Sequence, residues 1–291
     1  MATFVLDTGF TRCLMTDRLA ASLQLSGEPA LQEDGTPVCF ADGHPLQQVT
    51  PTLQVGDFYT ERCSFTLLKA YRLDMLDCPL DGVLGWQFLC EHAVMFDFQA
   101  HRITLWRGGN LTGDELETAG MQDAVLLPRA NRTPGSFDIR VRLNDSCDVS
   151  LAVDTGGAHT LLSISDARQL QLEPTRTDFK QPSIFGLLGA NEAPLHSLSF
   201  RIPQTSDSSK PRSQQSYLTQ QSDQKYSQKD RIEQNEQKLE KGMRLTDLTI
   251  HYLLQDHPNL PPHLGLDVLS HYRVLIDYPA KTLYLKPASR P

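Results

Sequence analysis

Two carboxylates stand in matching surroundings. Each closes a short apolar run and opens the same tripeptide, Phe4-Val5-Leu6-Asp7-Thr8-Gly9 and Leu151-Ala152-Val153-Asp154-Thr155-Gly156. Asp-Thr-Gly is rare enough at ordinary residue frequencies that two copies in 291 residues call for a structural cause. Two carboxyl groups held at one place can divide acid and base work, one protonated and one ionised. Asp7 and Asp154 are therefore the candidate catalytic pair.

What would bring them together is a repeat. Residues 83–106 (VLGWQFLCEHAVMFDFQAHRITLW) lie without a gap over residues 263–286 (HLGLDVLSHYRVLIDYPAKTLYLK), matching Leu84, Gly85, Leu89, Val94, Asp97, Ala100 and Leu105 to Leu264, Gly265, Leu269, Val274, Asp277, Ala280 and Leu285. The chain reads as an internal duplication. Asp7 precedes Gly85 by 78 positions and Asp154 precedes Gly265 by 111, so the second copy carries 33 more. A polar insertion over residues 203–243, rich in Gln, Ser, Lys and Asp, accounts for them and reads as a mobile loop, because it cannot bury enough apolar surface to offset its ordering entropy.

Most other segments are short alternating or β-branched runs bounded by Gly, Pro, Asn and Asp, an all-β pattern. They fall at 38–41, 52–55, 63–68, 94–98, 102–106, 137–143, 150–153, 248–253, 274–278 and 282–285. Helical spacing is confined to one or two turns at 16–23, 87–91, 165–170 and 267–271. The Gly pair and acidic stretch of residues 106–122 mark a boundary near 120, giving domains 1–119 and 120–291. Two strand-like segments, 124–127 and 136–143, precede Asp154, whereas six residues precede Asp7; the first copy is expected to lack that leading hairpin. No compartment is legible.

These residues resemble the aspartic peptidases: each copy is similar to a retropepsin-type lobe, and the tandem is similar to the bilobal pepsin plan. The resemblance rests on the two Asp-Thr-Gly runs together with Val83-Leu84-Gly85 and His263-Leu264-Gly265. It implies two closed β-barrel lobes with short helices, related by a pseudo-two-fold axis. It further implies an endopeptidase that hydrolyses peptide bonds with a water activated by the Asp7–Asp154 dyad, without metal or cofactor. Like charges about 3 Å apart cannot both ionise, so such a pair titrates as a unit, and which member is the base stays open.

By the same resemblance, Thr8 and Thr155 would cross-link the two loops, Gly9 and Gly156 would let the backbone approach the carboxylates, and Leu84-Gly85 and Leu264-Gly265 would pass behind the loops. Ala41, Asp42 and Gly43 in the first copy and Leu188, Gly189 and Ala190 in the second are flap candidates over an extended substrate. Phe10 and Ala158 depart from the family's pattern of a small residue and a hydroxyl after the tripeptide; Thr11 is assigned the supporting hydroxyl in the first copy. The alternative function is a bilobal peptide-binding module without turnover. Both aspartates lie in one chain, so a monomer is expected, with a peptide or protein as substrate.

Other chemistries find little support. The net charge of −8 is spread rather than clustered, which disfavours nucleic acid, and no apolar run is long enough to span a membrane. The six cysteines form no C-x-x-C pair and read as free thiols. The nine histidines, among them His92, His251 and His263, lack metal-ligand spacing and read as structural. Asp97 and Asp277 read as turn formers.

Overall fold

The computed structural model describes residues 2–31, 36–38, 45–60, 63–74, 79–130, 135–183, 186–200, 243–254 and 260–288. Strands dominate and the helices are short, as the all-β pattern requires. One sheet runs in the order Phe4–Leu6, Gly82–Leu84, Cys13–Thr16, Phe65–Leu68, Gln47–Val49, Glu28–Pro29. A second runs Asp138–Leu143, Cys147–Val153, His263–Leu264, Leu161–Leu162, Arg244–Leu253, Gly186–Phe200, Arg176–Ser183.

The pairings that matter occur in both sheets. Phe4–Leu6 runs parallel to Gly82–Leu84, with Leu6 beside Leu84. Ala152 and Val153 likewise run parallel to His263 and Leu264. Cys13–Thr16 lies antiparallel to Gly82–Leu84 and parallel to Phe65–Leu68. Leu161–Leu162 stands in the same relation to His263–Leu264 and to His251 and Tyr252. Phe4–Leu6 is the edge of its sheet, whereas Cys147–Val153 is also flanked by Asp138–Leu143.

A third sheet, Arg102–Arg107, His92–Asp97, Tyr272–Asp277, Thr282–Pro287, Val125–Pro128, draws strands from both sides of residue 120. His92–Asp97 and Tyr272–Asp277 pair antiparallel at its centre, Val94 beside Ile276. Their side chains enter a core shared by both parts of the chain: Phe65, Leu84, Leu89 and Val94 belong to the same buried cluster as Phe137, Leu151, Leu264 and Ile276. Each such side chain contributes about 1.5–3 kcal/mol by leaving water, which is what holds short strands in place.

Helices begin where a hydroxyl can satisfy a free N–H. The Thr16 hydroxyl accepts from Leu19 N at the start of Asp17–Ser22, and that of Ser163 accepts from Asp166 N at the start of Ile164–Gln169. The 106–122 segment contains more order than a linker: Gly113–Thr118 is a helix opened by a capping box of Thr112 and Glu115. Gly186–Phe200 is one long strand despite Pro194, which pairs with Thr249 on one side. On its other side the ladder to Arg176–Ser183 has ended at Glu192, and the Asn144 side chain takes up the N–H groups of His196 and Ser197. A proline costs little at such an opening. The proposed insertion lies outside the described residues except for Met243, which is buried in the core and therefore bounds it.

Asp97 and Asp277 each accept the N–H three residues on, from Ala100 and Ala280, fixing the turn into the next strand. Fully buried Asp277 does more: its Oδ1 and Oδ2 accept from Asn110 N and Leu111 N at 2.9 Å each, tying the connecting segment to the central sheet. Asp277→Ala would strand three backbone donors and is expected to cost roughly 3 kcal/mol or more, read as a lowered urea midpoint. Asp97→Ala, at the more open turn, should cost clearly less.

Candidate active site: two interlocked Asp-Thr-Gly loops

Each aspartate leaves its strand at the same structural point. Asp7 N donates to Leu84 O, and Asp154 N donates to Leu264 O, both at 3.0 Å. Behind each loop the following glycine meets backbone: a methyl on Gly265 would come within 2.9 Å of Thr160 N and overlap His159, and one on Gly85 would overlap Phe10 and Arg12. Only glycine permits that crossing.

The two loops then lock into each other. Thr8 Oγ1 donates to Val153 O at 2.7 Å and accepts from Thr155 N at 3.0 Å. Thr155 Oγ1 donates to Leu6 O at 2.7 Å and accepts from Thr8 N at 3.2 Å. Both threonines are buried, so each hydroxyl uses its hydrogen and a lone pair where water cannot compete.

The interlock sets the carboxyl groups face to face. A methyl on Gly9 would come within 2.7 Å of both Asp154 oxygens, and one on Gly156 within 2.8 Å of Asp7 Oδ1, so each carboxyl occupies the space that the other loop's glycine leaves open. Gly9 N donates to Asp7 Oδ1 at 2.9 Å, while Asp154 Oδ1 accepts from both Gly156 N and Gly157 N, at 2.8 and 3.0 Å. Burial, and then the charge of Asp154 and the hydrogen bond the two carboxyls share, hold Asp7 well above the usual carboxylate range. Two carboxyls this close favour a state in which they share one proton and one negative charge.

The other expected residues fare differently. Thr11 is exposed and its methyl lies against Gly135; the groups bonded to Asp7 are Asp154, Gly9 and Phe10, so the hydroxyl support assigned to Thr11 is absent. Phe10 explains the change, since its ring packs into an apolar cluster with Val83, Leu14 and Leu68 instead of leaving the loop small. Ala41, Asp42 and Gly43 lie outside the described residues. Leu188, Gly189 and Ala190 do not form a turn: they sit on the strand Gly186–Phe200 of a hairpin with Arg176–Ser183 that closes at Ser183 and Gly186. Ala190 is buried and also pairs with Leu253, so the hairpin reverses before the position expected for the turn.

One group was misplaced by sequence reasoning. His263, read as a scattered structural histidine, is buried beside the pair, with Nδ1 3.8 Å from Asp154 Oδ2. Its repeat partner is Val83, and that unlike match was the available signal. Among the described residues, Cys13, Cys63, Cys90 and Cys147 are free, and no cluster of His, Cys, Asp or Glu is arranged to hold a metal. No helix among them is long and apolar enough to cross a membrane.

No protein-family model matches the sequence, and no curated protein does. Among solved structures the chain is similar to a retropepsin-like aspartic protease from Rickettsia conorii, at 20% identity and a TM-score of 0.32, over 55% of this chain and 88% of that one. A likeness of that size assigns no function, and the chemistry rests on the geometry above.

Two outcomes follow from that geometry. Thr8→Val removes a buried donor from Val153 O and an acceptor from Thr155 N, and is expected to cost about 2–4 kcal/mol in urea unfolding. Because Asp7 is raised in the folded chain, the native state keeps a proton that the unfolded chain releases above about pH 4, so this group makes stability fall as pH rises toward its folded value. Asp7→Asn cannot ionise and should lose that decline, so urea midpoints across the range should favour the variant increasingly above about pH 4.

Proposed function

We propose that this chain is an aspartic endopeptidase that hydrolyses peptide bonds with a water activated by Asp7 and Asp154. The observation that carries the proposal is the face-to-face carboxyl pair, with Asp7 held above the usual carboxylate range by burial and by Asp154. In this scheme Asp154 takes a proton from the water as its oxygen attacks the scissile carbonyl carbon, while Asp7 gives its proton to the carbonyl oxygen. The product is a neutral gem-diol, with the proton now on Asp154 and the charge on Asp7. Collapse returns a diol proton to Asp7 while Asp154 protonates the departing nitrogen; the C–N bond breaks and a carboxylic acid and an amine leave. The starting protonation is restored without metal, cofactor or covalent intermediate.

Support for the larger plan comes from the recurrence of strand pairings around Asp7 and Asp154. We take residues 1–119 and 120–291 as duplicated lobes of retropepsin type, related by pseudo-two-fold symmetry, with both aspartates in one monomer. The substrate is an extended segment of peptide or protein, and the hairpin of Arg176–Ser183 with Gly186–Phe200 is the candidate second flap.

One observation favours a second function, a module that grips peptides without cutting them: neither loop has a hydroxyl two residues after its glycine that bonds its aspartate, since Thr11 is not among the groups bonded to Asp7 and residue 158 is alanine. Peptide-mixture cleavage from about pH 3 to about pH 7, read by mass spectrometry, separates the two. The peptidase predicts cleavage that falls by at least about 10³-fold in Asp7→Asn and in Asp154→Asn, and a statine-type mimic that binds far more tightly than a matched peptide. Equal cleavage by parent and variants would remove the dyad, and peptide binding without cleavage would establish the module.

A further inference from the structure

The two loops differ at one coupled pair of positions. In the first, Phe10 follows the tripeptide and packs with Val83. In the second, Gly157 follows it and the residue opposite is His263; a methyl on Gly157 would come within 2.8 Å of His263 Nε2. The bulk removed from one position has become an imidazole at the other, and the exchange replaces an apolar contact with an ionisable ring beside a carboxylate.

We propose that His263 is a third ionisable group of this site, whose imidazolium keeps the negative charge of the pair on Asp154 and thereby sets the acidic limit of the working range, which presupposes the peptidase proposed above. Two features of the ring support it and a third sets its cost. Nδ1 lies 3.0 Å from Pro261 O, a pure acceptor, so Nδ1 carries a hydrogen in either charge state and the ring is oriented by main chain. The same Nδ1 is 3.8 Å from Asp154 Oδ2, an ion-pair distance once the ring is protonated. Nε2 is buried with no hydrogen-bond partner among the described residues, a cost to the imidazolium that the charge of Asp154 has to offset.

Other titratable groups surround the ring without replacing this contact. Asp7 stands across the pair, held above the usual carboxylate range. On the segment before Leu161, His159 stacks at 4.3 Å on His251, whose strand neighbour Glu192 is 3.9 Å from it. Asp267, on the helix Leu266–Leu269, is engaged by Thr160 N and Oγ1. The buried Tyr278 phenol is pushed up, first by burial, and stays neutral. Among the described residues, Asp154 is the carboxylate within ion-pair distance of His263.

The sign is fixed by the mechanism. Attack needs Asp154 ionised, and a neighbouring cation favours that form. Removing it should therefore move the acidic limb of the kcat/KM profile to higher pH, by about one unit for an opposite charge at this range. His263→Val, which restores the residue of the first loop, is expected to show that shift, with kcat on the plateau within about tenfold of the parent. The double exchange Gly157→Phe/His263→Val refills the space and should show the same shift. An unmoved acidic limb in both variants would overturn the proposal.

A readout independent of turnover is the ring itself. In the histidine-labelled chain, the His263 imidazole resonances should titrate with a lower midpoint in Asp154→Asn than in the parent. An unchanged midpoint would overturn the proposal even in an active peptidase. A lowered midpoint in a chain that cleaves nothing would keep the His263–Asp154 pair and overturn the peptidase.

Discussion

Four hydrogen bonds between two threonines and the opposite loops decide where everything else in the site must lie. The Thr8 and Thr155 hydroxyls each donate a hydrogen bond to the carbonyl directly before the other loop's aspartate and accept one from the other threonine's backbone N–H. Because the donors and acceptors are main-chain groups, the relative placement of the loops is set to within hydrogen-bond tolerance. The carboxyls follow from it, since each is only one residue from its threonine. The raised proton affinity of Asp7 is then a consequence of position: a carboxyl forced against a second one, away from water, cannot share the charge.

That precision needs support from farther out. The strands behind each loop are short, three residues in Phe4–Leu6 and two in His263–Leu264, too short to be stable on their own. Their stability comes from the shared core and from the central pairing of His92–Asp97 with Tyr272–Asp277. The buried Asp277 extends that support to the connecting segment by taking the N–H groups of Asn110 and Leu111. The chain thus spends a buried carboxylate outside the dyad on tying its connecting segment to the central sheet.

The parts of this arrangement that could be read from residues alone were those where chemistry leaves no substitute. Gly85 and Gly265 are legible because a backbone crossing tolerates no side chain, and the tripeptides are legible because they recur. The strand Gly186–Phe200 was hidden because Gly189 and Pro194 break the alternation, while the reason Pro194 is tolerated, an open ladder beside it, exists only in three dimensions. The helix Gly113–Thr118 was hidden by its polarity although the Thr112 and Glu115 capping box is written in the sequence. Thr11 was assigned by position in a motif, but Phe10 beside it found an apolar cluster and the exposed Thr11 does not bond Asp7. His263 was compared with metal-ligand spacings when the informative comparison was with Val83.

The central sheet has a temporal meaning as well as a spatial one. Its middle strands are separated by some 180 positions, and Asp154 rests on Leu264, so neither the joint between the halves nor the backing of the second loop exists until residues 263–277 have left the ribosome. Contacts this distant in the chain form late and slowly. A chain that lacks this segment lacks both the strand that backs Asp154 and the central pairing. The face-to-face carboxyl pair therefore forms only with the last long-range pairing.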